Sequence, residues 1–287
     1  MDESSDSGPL SRPADQRCRP ARLRLRASAI SDTGLVRRNN EDSFVDDARL
    51  GLWLVADGMG GAGAGEVAAA IACCAVHRAV ADGRSLAEGM QAAHRAIGAA
   101  ALAGAGAFGM GTTAVALTSR GRHYDVAWVG DSRAYLWDLR QLTRITRDHS
   151  LVQELVDAGV IDEQAARTHP HRNIITRSLG AGLAMAPNVG RARGRWSPGQ
   201  SMLLCSDGLC GELSDEAMAA ILAASLAPDD AVRQLCRAAL DHGGRDNITA
   251  ILVCAPAPAA PWRRLVGCLQ RTARSLRSRC YAMFSRT

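Results

Sequence analysis

The elements of this 287-residue chain are grouped rather than alternating. Apolar or alternating runs at residues 23–30, 43–56, 112–118, 123–138, 188–195, 201–206 and 247–254 predict strands. Set among them are two alanine-rich helical pairs, 65–82 with 85–102 and 214–224 with 228–241, the last opening on Pro228-Asp229-Asp230 as a helix start should. Regular strand–helix alternation would build a doubly wound parallel sheet. Helices segregated into pairs predict an α+β fold in which sheets and helices form separate layers.

The ends differ from this body. Residues 1–22, rich in Ser, Pro, Asp and Arg, are expected to be disordered. "APAPAAP" at 255–261 reads as a stiff linker, so the folded domain is expected over 23–255 and a linker with a tail over 256–287. Residues 147–187 read as irregular, with one short helix, around His169, Pro170 and His171. "MDESSDSGPL" lacks the apolar stretch of a signal peptide, and no uncharged apolar run approaches the ~18 residues of a spanning helix. Nine cysteines without a C-x-x-C pair form neither a disulfide framework nor a zinc site, which fits a reducing cytoplasm.

Charge is placed unevenly. Residues 1–28 hold six Arg against four acids, and 256–287 hold seven Arg and no acid. The net charge of +5 therefore leaves the body, 29–255, at −4. A mildly acidic body argues against a nucleic-acid groove.

Carboxylates recur where strands start or stop. "LWLVADGMGGAGAGEVAA" (52–69) runs a doubly buried apolar strand into Asp57-Gly58, with a helix from about Ala64–Glu66. It fits neither G-x-x-x-x-G-K-[ST] nor G-x-G-x-x-G, and the chain has no Lys. "MLLCSDGL" ends at Asp207-Gly208, "AWVGDSRAYLW" carries Asp131, "GGRDNITAILV" carries Asp246, and "RRNNEDSFV" places Glu41-Asp42 before a strand. Each alone is a turn acid or helix cap as readily as a ligand. Together, if the strands share one sandwich, they converge, and converged carboxylates repel unless cations lie between them. Carboxylates, a backbone carbonyl and water are hard oxygen donors suited to Mg²⁺ or Mn²⁺, whereas zinc and iron favour His and Cys. Two such ions ~3.5–4 Å apart can activate water and clamp a phosphoryl group for in-line attack.

In order, "SDTGLVRRNNED", "LVADGMGGAGAGEVAA", "GTTAVAL", "VGDSRAYLW", "RDHS", "RNIITRSLG", "LLCSDGL" and "GGRDNITAILV" resemble the motifs of the metal-dependent, type 2C serine/threonine protein phosphatases, over about residues 25–255. The chain looks most like the bacterial members. The resemblance implies a four-layer α-β-β-α sandwich of two antiparallel sheets flanked by helical pairs. It implies hydrolysis of phosphoserine and phosphothreonine by water activated on two Mn²⁺ or Mg²⁺ ions, with a weaker third, in opposition to a serine/threonine kinase. Asp57 would bridge two ions, with the Gly58 carbonyl on one and Asp207 and Asp246 on the other. Glu41 would hold a metal-bound water, Asp42 and Asn247 would order the surroundings, and Asp131 would hold the third ion. Arg37 would grip the substrate phosphate with its planar fork, while Arg38 reads as a solvated surface charge.

Two positions depart from the family. Met59 stands where animal relatives carry a His after Asp-Gly, and Ala62 where many bacterial relatives carry one after "DGMGG". His149 and His169 become candidate proton donors, against the alternative that each is structural. Residues 150–187 correspond to the variable flap near the site. An inactive relative that only binds phosphoproteins, and a metal-dependent nuclease, are the rival readings. The complete carboxylate set opposes the first and the acidic body opposes the second.

In the tail, Trp262, Leu265, Val266, Leu269, Ala273, Leu276, Cys280 and Phe284 recur at helical spacing among arginines that no acid opposes. The alternatives are a disordered tail and an interfacial helix that rests on anionic membrane or an acidic partner, each Arg contributing ~1 kcal/mol. The chain is thus expected to be a cytoplasmic monomer, with a peripheral contact at the inner face of the membrane through 262–287.

Overall fold

The computed structural model describes residues 23–60, 64–107, 109–181, 186–225 and 227–257. The N-terminal segment, Ala62 and the 262–287 tail, on which expectations were placed, lie outside the described residues.

Strands β1 (Arg26–Asp32), β2 (Asp42–Asp47) and β3 (Leu52–Met59) precede helices α1 (Ala64–Ala81) and α2 (Leu86–Leu102). Then come β4 (Gly111–Thr112), β5 (Ala114–Arg120), β6 (His123–Val129), β7 (Arg133–Trp137), β8 (Leu142–Arg144), α3 (Leu151–Asp157) and α4 (Glu163–Thr168). The chain continues through β9 (Gly190–Arg195), β10 (Ser201–Cys205), α5 (Asp207–Cys210), α6 (Asp215–Ala224), α7 (Pro228–Asp241) and β11 (Ile248–Cys254).

Local chemistry divides two runs that read as single strands. The 43–56 run is a hairpin, because Asp47 Oδ1 accepts from Arg49 N at 3.0 Å and Leu50 N at 2.8 Å, and Gly51 takes φ +71°. The 123–138 run breaks at Gly130, φ +101°, into β6 and β7. The 147–187 stretch holds two short helices rather than one, capped by the side chains of Ser150 and Asp162.

One sheet has the order β1-β11-β10-β7-β8 and the other β2-β3-β5-β6-β9, with β4 on β3. The pairings are antiparallel. Alternation along each strand produces the layers. On β3, Leu52, Leu54 and Ala56 join the cluster under α1 and α2, while Trp53 and Val55 face the other sheet. On β10, Met202 and Leu204 turn to that inter-sheet core and Leu203 and Cys205 to α5–α7. The result is the expected α-β-β-α sandwich. Helix α1 is 18 residues long with hydropathy 1.4, apolar enough by composition to cross a membrane. Its buried face packs on β3, which accounts for that composition.

Antiparallel register then gathers the acids. Cys205, the last residue of β10, pairs with Arg133 at the start of β7 and with Ala250 near the start of β11. Asp131, Asp207 and Asp246 each lie just beyond those strand ends. From the other sheet, Asp42 is the register partner of Asp57.

Candidate active site

Asp57 does not follow its strand but sits within it, two residues before the end of β3. Its backbone is fixed by the "GTT" segment: Thr113 N and Thr112 Oγ1 both donate to Asp57 O at 2.8 Å. Asp207 is the first residue of α5, after the N-cap Ser206. Ser206 Oγ donates to Asp42 Oδ2 at 2.8 Å and accepts from Thr249 N at 3.0 Å, which ties β2, β10 and β11 together behind the site. Asn247 is a second strut. Its Oδ1 accepts from Glu41 N at 2.8 Å, and its Nδ2 donates to Thr33 O and Asn39 O, both at 2.9 Å.

The carboxylates lie within electrostatic reach of one another. Burial first, then the charges of Asp207, Asp42, Asp131 and Asp246, push Asp57 well above the usual carboxylate range. Burial and Asp246 raise Asp207, against a hydrogen bond with Asp57. Burial lifts Asp42 to about 7, opposed by hydrogen bonds from Thr249 and Ser206, and lifts Asp131 to about 8, reinforced by Asp207 and Asp148.

Three observations fit this cluster to hard cations. Buried oxygens of Asp42, Asp131 and Asp207 (Oδ1 in each) have no hydrogen-bond partner. Such orphaned acceptors are costly unless something positive meets them. The donors are oxygens throughout, the set that selects Mg²⁺ or Mn²⁺. Glycines also hold space at the strand ends: a Cβ on Gly58 would press into Gly65 O and lie 2.7 Å from Glu41 O, and one on Gly65 would lie 2.6 Å from Glu41 Oε2. Among the described residues no three His, Cys, Asp or Glu side chains already form a finished cage.

Arg37 reaches the cluster from solvent, its side chain 55% exposed and its Nη2 2.7 Å from Asp246 Oδ2. Asp246 in particular, then Asp207 and Asp57, hold its guanidinium firmly charged. Arg38 is exposed, as expected. A cavity of about 600 Å³ opens beside the cluster, lined by Asp131 and Asp207 on one side and by Gln153, Arg167, Arg172 and Asn173 of the flap region on the other.

The two candidate histidines each have Nδ1 engaged by a backbone N–H. His149 Nδ1 accepts from Gly130 N at 3.2 Å, and burial lowers its pKa, so the ring is neutral and braces the Asp131 turn. His169 caps the C-terminus of α4, and its Nδ1 accepts from His171 N at 3.1 Å. Met59 is a strand residue paired with Gly111. Sequence reasoning missed Ser206, the buried Thr113–Ser132 hydroxyl pair at 2.7 Å, and the Arg133–Asp148 ion pair at 2.6 Å that links "GDSR" to "RDHS". Only the last left a trace in the sequence, as two charged motifs of opposite sign.

A protein-family model described as Protein phosphatase 2C matches residues 36–252. The chain belongs to that family. Serine/threonine protein phosphatase PstP of Mycobacterium tuberculosis is 41% identical over 239 residues, 80% of this chain and 45% of that protein. The chain therefore spans about half the length of that relative. A putative protein phosphatase 2C-type of Streptococcus pyogenes is 37% identical over 245 residues, 80% of this chain and 97% of that protein. The crystal structure of the PstP catalytic domain in complex with two manganese ions superposes with a TM-score of 0.72 at 36% identity, covering 81% of this chain and 98% of that one. The α+β sandwich and the family read from the eight motifs are thereby borne out.

Proposed function

We propose that this chain is a Mn²⁺- or Mg²⁺-dependent serine/threonine protein phosphatase that hydrolyses phosphoserine and phosphothreonine by direct attack of water, without a phosphoenzyme. The observation that carries the reading is the convergence of Asp57, Asp131, Asp207 and Asp246, from separate strand ends, on a site with orphaned buried oxygens. A pair of hard cations bound there would supply the missing positive charge, lower the pKa of a water and clamp the phosphoryl group.

Asp57, the Gly58 carbonyl, Asp207 and Asp246 would hold that pair, Glu41 would contribute through water, and Asp131 would hold a weaker third ion. Asp42 and Asn247 position these groups from behind, Asp42 through Ser206 and Asn247 through the Glu41 backbone. Arg37 presents its fork to two phosphate oxygens, and its bond to Asp246 keeps the fork aimed at the cluster while the site awaits substrate. The flap side chains across the cavity contact the residues around the phosphorylated one. Supporting the substrate class are the names of the relatives, PstP foremost.

The partners we propose are phosphoproteins, a cognate serine/threonine kinase and that kinase's substrates, with no nucleic acid. The enzyme acts as a cytoplasmic monomer, and the basic 262–287 segment supports contact with anionic lipid or an acidic partner. The test is hydrolysis of a phosphothreonine peptide with Mn²⁺ in ¹⁸O-labelled water. The label should enter the released phosphate in a single step, and chelation should stop turnover. Full activity in EDTA, or a trapped phosphoenzyme, would overturn the proposal.

A further inference from the structure

Cys205 and Cys210 flank Asp207. Ser206 is the N-cap of α5, so Cys205 is the residue before the cap and Cys210 the fourth residue of the helix. Those positions pack against each other across a helix start, the arrangement of a hydrophobic staple. Here both members are thiols. Cys205 belongs to the core under α5–α7 and Cys210 packs against that core, close enough that Cys210, with burial, pushes the Cys205 thiol up. Cys210 Sγ also donates to Ser206 O at 3.7 Å. The two differ in access: Cys205 is fully buried, whereas Cys210 is half-buried and lines the cavity that holds Asp131 and Asp207.

We propose that Cys205 and Cys210 are a reversible disulfide site, oxidised by peroxide entering the cavity, that displaces Asp207 from the carboxylate cluster. Hydrogen peroxide oxidises the accessible Cys210 thiol to a sulfenic acid, its O–O bond breaks, and one water leaves. The buried Cys205 sulfur then attacks the sulfenic sulfur. The S–O bond breaks, the S–S bond forms, and a second water carries off the Cys205 proton. Two thiols lose two electrons and one peroxide gains them. A dithiol reverses the reaction by exchange. Closing the staple from a thiol contact to the ~2.05 Å of an S–S bond pulls the end of α5 toward the strand. The helix is a single turn whose first residue is Asp207, so the turn rotates and carries that carboxylate with it. Transient disulfides of this kind are the redox-sensing sort found in reducing compartments.

The chemical arm of the test is independent of the phosphatase reading, and the activity arm rests on it. Full-length protein is treated with hydrogen peroxide, its remaining thiols are alkylated, and its peptides are weighed. The peptide spanning 205–210 should be unalkylated and lighter by two hydrogen atoms, and dithiothreitol should restore two alkylatable thiols. Cys205 remaining alkylatable while Cys210 gains oxygen would overturn the proposal, whatever the activity shows. In the activity arm, Mn²⁺-dependent turnover of a phosphothreonine peptide should fall about tenfold or more as the bridge forms, the range seen when the support of a metal ligand is disturbed. It should recover with dithiothreitol. Cys210→Ser should keep basal turnover and lose the peroxide sensitivity, while Cys74→Ser, at an exposed thiol far in sequence, should respond like the parent protein. Equal loss of turnover in Cys210→Ser, or a bridge that leaves turnover unchanged, would overturn the displacement of Asp207.

Discussion

At the scale of single residues, the site divides between side chains that hold charge and side chains that hold those side chains. Arg37 belongs to the first kind. As the proposed phosphate grip it would bind a group present in both ground and transition states, so Arg37→Ala should raise KM for a phosphopeptide roughly tenfold or more while kcat changes far less. A large fall in kcat at unchanged KM would place Arg37 on the chemistry instead. The aspartates were readable because each stands beside Gly or Asn at a strand end, a pattern that repeats along the chain. Ser206 was not readable. Its carboxylate partner, Asp42, lies 164 residues away, and a lone serine before an aspartate carries no local signal of that bond. The two histidines stayed open between proton donor and structural support for a related reason, since only tertiary contacts reveal that Nδ1 of His149 is occupied by the Gly130 backbone.

At the scale of elements, the long pieces followed from periodicity and the short ones did not. Helix α7 spans Pro228–Asp241, as its start signal and apolar stripe predict, and α2 carries the capping box of Ser85 and Glu88. The three-residue β8 and the one-turn α5 are too short to leave a period, and pairing with β7 and packing against β11 fix them instead. The junction of β3 with α1 is the most demanding contact between elements. Gly58 and Gly65 let the helix start lie directly on the strand that bears Asp57. Gly58→Ala should force them apart, at a cost of about 1–3 kcal/mol of stability typical of overpacking, with activity lost to a greater degree than fold. Thermal unfolding and turnover on the same preparation check this, and an active variant of parental stability would contradict it.

At the scale of the whole molecule, the sandwich stores repulsion at one end of its sheets. Folding raises Asp42 from an ordinary 3.8 to about 7 and Asp131 to about 8, so the folded metal-free protein binds more protons than the unfolded chain across that window. Stability without metal should therefore fall as pH rises through it. Cations bound at these carboxylates would take the place of those protons, so the gain in Tm on adding Mn²⁺ should be larger at about pH 8 than at about pH 6. Equal gains at both would mean that the ions bind elsewhere. If these carboxylates hold the cations on which hydrolysis depends, Asp207→Asn removes the one acidic side chain in the first turn of α5. The decisive measurement is turnover of a phosphothreonine peptide by Asp207→Asn across a Mn²⁺ titration. The prediction is a kcat at saturating Mn²⁺ about 10²–10³-fold below the parent enzyme, since the lost charge acts electrostatically on the reacting phosphate. Near-parental turnover at saturation would contradict the assignment.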